Sequence, residues 1–549
     1  MKRRKFLKEY GIILVAVCSL CIVNTSCTNS FEGINSDRSG VDPTVVDMAS
    51  KLQQPLDNII PPSEHRYQLW ANLTSDIFAG YFMGVNDFGG SNNYNYQLRP
   101  SHCGTTYCDF YLNVIKYTKD YIPECKKNGF FELAAMLQIA QVYSLLPVVT
   151  TYGPVQYKCV KEQSESFYYD KEEDIYIALF AELKEAIQWL EDYKNGEKTT
   201  EQEATFLKAD KLCKGDPSLW IRFANTLRLR IAMQLVKIVP ELSKIEAEDA
   251  VRSGVLTMND SDLTLGGGFK IRLIEDLWND SRANANIICM LKGYGDPRLG
   301  KWFQKNEKIL NLDDEIALDK NLDYVGVRQG VPMTRTEYQS YSKTSFANNS
   351  SRLVMRSAEA YFLRAEGALR GWEMKGTPRE LYNDGIRSAF NSVGGYPDVE
   401  MYIEGMIPTE DFDWDKFEGG FGSAPYVNYR NQKYNCESLN RISIKWHEED
   451  TNEQKLQRII TQKWIAVFPL SHVAWTEFRR TGYPKLLPIP DGLNKSNGKI
   501  DTDIQIRRLP YPEGEYNSNR MEVIKAVGML KGEDNGGTRL WWDINKPNF

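Results

Sequence analysis

Apolar residues recur at spacings of three and four along several stretches of this chain, with polar residues between them. Glu172 to Leu190 is the clearest, with Ile175, Leu179, Leu183, Ile187 and Leu190 on one side, which predicts an amphipathic helix. Asp216-Pro217 opens another that carries Trp220, Phe223, Ala224, Leu227, Leu229, Ile231 and Leu235. The same periodicity predicts helices over His65 to Phe82, ending near Tyr81, over Tyr107 to Tyr121, and over Phe131 to Leu146, where Pro147 is expected to stop the helix. Later, Arg352 to Arg370 and Arg379 to Phe390, the second behind Pro378, form a pair, and Leu456 to Phe468 is a further amphipathic segment. Little in the chain alternates with period two, so the expected fold class is mainly α with little β.

The pairs turn on short connections, with Ala358, Ala360, Ala365 and Ala368 available where helices cross. They resemble tetratricopeptide units of irregular period, giving a scaffold of helix pairs. Three long irregular insertions interrupt it, around 83–106, 266–350 and 394–452, dense in Gly, Asn, Asp and aromatic residues. Insertions of this length in a compact body are usually functional surfaces. The first begins MGVNDFGGSNNYNYQLR, from Met83 to Arg99, where glycines and asparagines break any period around Phe88, Tyr94 and Tyr96. Rings beside amides suit a neutral polar ligand such as a sugar, whose CH faces stack and whose hydroxyls pair with Asn, Asp and Arg. Against this stands a structural role, in which the rings pin the loop to the body.

The amino terminus adds an address. Lys2, Arg3, Arg4, Lys5 and Lys8 precede an apolar run from Gly11 to Val23 that closes on Asn24-Thr25-Ser26-Cys27, an export signal too short to span a bilayer. Small residues before Cys27 predict a bacterial lipoprotein site, with Cys27 the lipidated first residue of the mature chain. The expected organisation is a signal peptide over 1–26, a lipidated tether over 27–43 and a single domain over 44–549.

Without residues 1–26 the formal charge moves from −6 to −10, since five basic residues and Glu9 leave. Such a chain lacks the basic stripe of a nucleic-acid binder. Seven cysteines follow Cys27, none paired as CxxC, so buried thiols are the default reading, with one disulfide within the group from Cys103 to Cys159 compatible with an extracytoplasmic setting. Four histidines at no metal-binding spacing argue against a zinc site, and no cofactor is called for. Calcium sites can be assembled from separate loops without a local motif. A glycoside hydrolase would need two carboxylates facing each other at roughly 5 to 9 Å. Asp411 and Asp413 alternate with Phe412 and Trp414 in one loop and give no such geometry. No catalytic residue is assigned. Arg228, Arg230, Arg479 and Arg480 adjoin apolar helix faces and are expected to pair with carboxylates such as Glu477 or with helix ends rather than to touch ligand, and Trp220, Trp464 and Trp475 to lie in the core.

Eight segments in order resemble the SusD/RagB family of Bacteroidetes outer-membrane lipoproteins. They are SCTNSFEGINSD at the lipid cysteine, TYGPVQY at 151–157, GDPSLWIRFANTLRLRIAM at 215–233, GDPRL at 295–299, MRSAEAYFLRAEGALRGW at 355–372, IITQKWIAVF at 459–468, AWTEFRRTGYPKL at 474–486 and RLPYPEGEYNSN at 508–519. The resemblance implies a cell-surface lipoprotein that captures glycan fragments, or in some members peptides, and acts as a lid on a SusC-like TonB-dependent transporter. It places ligand contacts in the first loop and in the region beyond the DPR turn, here Asp87, Phe88, Asn92, Asn93, Tyr94, Tyr96 and Arg99, with Trp302, Tyr324, Arg328, Tyr338 and Tyr341. A rival reading is a structural lid or adhesin whose rings meet only protein.

Overall fold

Helices build the body of the protein and irregular segments lie over it. The computed structural model describes residues 47–84, 93–269, 271–306, 323–338, 340–346, 350–405, 422–428 and 431–549. Contacts divide the chain into two units, residues 1–51 and 52–549, and the second unit holds the helical body. Its main helices are α1 (Lys116–Lys127), α2 (Phe131–Tyr152), α3 (Glu172–Asn195), α4 (Pro217–Leu235), α5 (Pro240–Ser253), α6 (Ala285–Gly293), α7 (Ser357–Leu369), α8 (Pro378–Asn391), α9 (Asn452–Ala466) and α10 (Ser471–Thr481). Each of α1 to α4 packs on the next, α4 on α5, and α7 on α8, α9 and α4, so two groups of helix pairs meet where α4 touches α7. This is the mainly helical, tetratricopeptide-like scaffold expected from the pattern.

Local chemistry starts several helices where the sequence places them. Asp216 accepts from the Ser218 amide at 2.8 Å with Pro217 in the first turn of α4. Thr377 with Glu380, and Thr451 with Gln454, form reciprocal capping boxes on α8 and α9. On α3, Ile175, Leu179, Leu183 and Leu190 are buried as the spacing predicts, and Ile187 is half-buried.

Elsewhere the structure departs from the periodicity. Helix α2 runs through Pro147 and ends only at Tyr152, before Gly153 at φ 89°. Nearly all of α2 is buried, and that burial outweighs the roughly 3 kcal/mol that an interior proline costs. Helix α2 is also apolar and long enough to cross a membrane, but 94% of its most apolar window lies inside the protein. A helix that is hydrophobic all round is a core element when it is enclosed in this way. The stretch His65 to Phe82 is not one helix: it breaks at Thr74 and yields Glu64–Tyr67, Gln68–Asn72 and Ser75–Phe78 before a strand. Buried polar residues Asn72, Ser75 and Asp76 need partners that one straight helix would not supply. Arg352 to Met355 is a strand, because buried Arg352 donates to the Ile60 and Asp57 carbonyls and Val354 accepts from Tyr143 at 2.6 Å, anchoring an extended segment.

Among the described residues four short strands form two antiparallel pairs: β1 (Phe82–Gly84) with β3 (Ser281–Ala283), and β2 (Leu263–Phe269) with β4 (Ser350–Met355). Arg228, Arg230 and Arg480 pair with carboxylates as expected, and Arg479 does not, bonding main-chain carbonyls instead. Arg228 bonds Glu246 and Asp249, Arg230 bonds Glu359 twice at 2.7 Å, and Arg480 joins Glu477 and Glu366. Arg479 lies 3.6 Å from the Trp475 ring centre and donates to the Arg507 carbonyl. Trp220, Trp464 and Trp475 are core, and Trp542 docks the carboxy-terminal segment beside the Asp543 to Arg507 ion pair.

Candidate functional site

The two loops singled out in the sequence lie some two hundred positions apart, and β1 and β3 bring them together. Phe82 pairs with Ala283 and Gly84 with Ser281. The Ala283 amide donates to the Ser342 carbonyl at 2.9 Å and the Val327 amide to the Ala283 carbonyl at 2.9 Å, so Val327 and Ser342 hydrogen-bond directly to β3. Gly326 permits this approach: a Cβ there would stand 2.6 Å from the Ala285 Cα. The Tyr338 hydroxyl donates to the Met83 carbonyl at 2.8 Å, tying the later segment to the strand from which the first loop leaves.

Most rings assigned to ligand are spent on this assembly. Tyr338 is fully buried under the Arg282 guanidinium, 5.1 Å from its ring centre. Tyr341 is buried beside it in sequence. Trp302 is buried against Phe468 at 4.9 Å, with Arg298 5.4 Å from its ring centre. Tyr96, buried with φ 66°, sets its hydroxyl against the Ile506 main chain and the Gln329 side chain. Arg328 donates to the Pro488 carbonyl at 2.9 Å and to the Tyr434 carbonyl at 2.8 Å, bracing two further segments. Asn93 donates to the Leu73 carbonyl at 2.7 Å and accepts from the Arg99 amide, closing the end of the first loop. In this structure these six side chains brace the body, with their rings buried and their donors engaged, which leaves them no open face or free donor for a sugar as they stand.

Tyr94, Arg99 and Tyr324 remain half-buried. Tyr94 stands beside Tyr338, and Tyr324 lies with the Lys305 ammonium 5.9 Å from its ring centre. Asp87, Phe88 and Asn92 lie outside the described residues, as do Cys27, Asp411 and Asp413. The structure adds one accessible ring that the sequence did not single out. Tyr434 is half-buried in the turn Asn431 to Asn435, held by Arg328 next to Gln329, which touches Tyr96. Tyr434 belongs to the third insertion, and a tyrosine in an Asn-rich turn was its only signal.

Arg99 also acts on His102, whose pKa falls to about 4 through burial and this nearby positive charge, leaving it neutral at pH 7. Among the described residues no group of three His, Cys, Asp or Glu side chains could hold a metal ion. The site therefore offers half-open aromatic planes and amides around a braced sheet.

Among curated proteins, no match is found. Solved structures are similar throughout. A chitin-binding SusD homologue from Flavobacterium johnsoniae shares 35% identity over 91% of this chain and 100% of its own, with a TM-score of 0.81. A SusD homologue from Bacteroides thetaiotaomicron shares 31% over 92% and 100%, at 0.79, and one from Bacteroides vulgatus 28% over 91% and 98%, at 0.80. With the family model for SusD and RagB outer membrane lipoproteins matching residues 32–543, the chain belongs to the SusD-like family.

Proposed function

We propose that this protein is a cell-surface lipoprotein, anchored through Cys27, that captures oligosaccharides and delivers them as the lid of a SusC-like TonB-dependent transporter. The observation that carries the reading is the similarity along the full length of the chitin-binding homologue. A neutral glycan such as a chitin fragment fits the chemistry: sugar CH faces stack on Tyr94, Tyr324 and Tyr434, and hydroxyl or acetamido groups pair with Arg99 and the asparagines of the first loop. Asp87, Phe88 and Asn92 belong to the same proposed surface. The acidic mature chain repels polyanionic glycans and leaves neutral ones as the favoured class. Capture requires no turnover, so no catalytic residue enters the proposal.

Calorimetry on the mature chain, residues 27–549, tests this with chitin oligosaccharides, a wider glycan panel and peptides. The expected result is saturable heat with one neutral glycan class, weakened about fivefold in Tyr94→Ala, in keeping with one aromatic contact of about 1 kcal/mol. Heat with peptides alone would replace the glycan by a peptide. No heat with either, beside tight association with a co-purified transporter, would leave the structural lid as the function.

A further inference from the structure

Where the two helix groups meet, α2, α4, β4 and the start of α10 enclose a cavity of about 220 Å³. Tyr143, Leu146, Pro147 and Thr150 line it at intervals of three and four, one stripe of α2. Trp70, Phe346, Leu353 and Leu470 face them. Ser351 on the wall is exposed and Thr264 half-buried, so the cavity reaches solvent along the β2 to β4 edge.

The charged groups on the wall already have partners. Arg230 pairs with Glu359, Glu477 with Lys463 and Arg480, Arg352 with Asp57, and Arg356 with Asp262, although Nε of Arg352 and of Arg356 is left without an acceptor. His472 differs from them. It is 7% exposed, its ring lies edge-on to Trp70 at 4.5 Å, and apart from the Trp70 main chain, which one nitrogen faces without a well-formed hydrogen bond, neither Nδ1 nor Nε2 meets a partner. Burial, aided by Arg479 and opposed by the nearby Trp70 main chain, pushes its pKa down to about 3. The imidazole is neutral at pH 7 and presents one donor and one acceptor.

That pairing selects the ligand. An ion would bury an unmatched charge beside groups that are already neutralised, at a cost of several kcal/mol. A sugar would set many hydroxyls against apolar walls. One neutral hydroxyl satisfies an imidazole as donor or acceptor, and an apolar body satisfies the rest. A dry cavity of about 150 Å³ holds benzene, so this one has room for a single substituted ring. We propose that the cavity is a second binding site, distinct from the glycan surface, for a compact neutral molecule of the phenol class, its ring against Trp70 and Leu470 and its hydroxyl on His472.

Phenol and toluene titrated into the mature chain by calorimetry test this at pH 7. Phenol is expected to bind at one site at least tenfold more tightly than toluene. His472→Leu should remove that preference and leave toluene binding within about twofold, and Leu470→Trp should remove both heats. Should either variant fail to fold, thermal melts of the natural chain decide: phenol must raise the melting temperature more than equimolar toluene does. Absence of binding by both molecules, equal affinity for the two, or a phenol preference that survives His472→Leu overturns the proposal.

Discussion

Glu172 is 4% exposed at the start of α3, where its Oε1 accepts from the Trp541 amide at 2.9 Å. Burial, against the opposing Trp541 amide and the Arg508 and Arg479 charges, raises its pKa from 4.5 to about 8. Glu275, buried beneath Thr344, is raised to about 7 by the same cause. Between the unfolded and folded values the folded chain holds protons that the unfolded chain has released. The stability of both sites is therefore full below about pH 4.5 and falls as pH climbs through the folded values. His472 and His102, with depressed values, act in the opposite sense below 6.5; above it Glu132, raised to about 7, adds to the two carboxyls, and Lys237, lowered to about 8 by burial, opposes them only from about pH 8. Thermal melts should fall between pH 6.5 and 8.5, and Glu172→Gln should melt higher than the natural chain at pH 8.5 with a smaller drop; identical drops would rule Glu172 out as the source. Tyr96 makes a second case. Its loop composition resembles that of Tyr94, yet its side chain is core, so Tyr96→Ala should cost about 3–5 kcal/mol in denaturant unfolding where Tyr94→Ala costs less than about 1.

Among the elements, α2 is where pattern and outcome diverge most. Proline within an amphipathic run reads as a stop, and the stop comes instead at Gly153, where a Cβ would meet Leu530 and Leu540 side chains at 2.9 Å. The helix persists because α1 and α3 cover it on both sides, a fact that no local window contains. Pro147→Ala should restore a donor toward the Tyr143 carbonyl and stabilise the fold by about 1–3 kcal/mol, measured by denaturant unfolding. Lower stability would mean that the proline ring itself fills a needed volume. By contrast α3, α4, α8 and α9 were legible: spacing agrees with burial on α3, and side-chain caps mark the starts of α4, α8 and α9.

Through the whole molecule a line of buried charges joins the two helix groups: Arg230 to Glu359, Lys463 to Glu477, Arg480 to Glu477 and Glu366, and Arg370 to Glu366 at 2.9 Å. Burial would raise the Glu359 carboxyl, but Arg230 and Lys463 outweigh it and hold the group below its ordinary value. Each charge is balanced by one from another helix, so removing one strands the next. Arg480→Ala should cost about 3–5 kcal/mol, read by denaturant unfolding. A loss under about 1 kcal/mol would mean that water replaces the guanidinium.

Helix content and the helix starts at Asp216 and Pro378 follow from neighbours within a turn or two, and sequence specifies these because the forces involved are local. Burial of Tyr96, Trp302, Tyr338 and Tyr341, and the bracing roles of Arg328 and Asn93, depend on partners up to about 400 positions away, among them Met83, Phe468, Pro488, Tyr434 and Ile506. An aromatic residue in a Gly- and Asn-rich loop has the same local signature whether its face meets solvent or the underside of a sheet. Only the approach of β1 to β3, with Gly326 allowing the backbones to close, decides which rings remain open to a ligand.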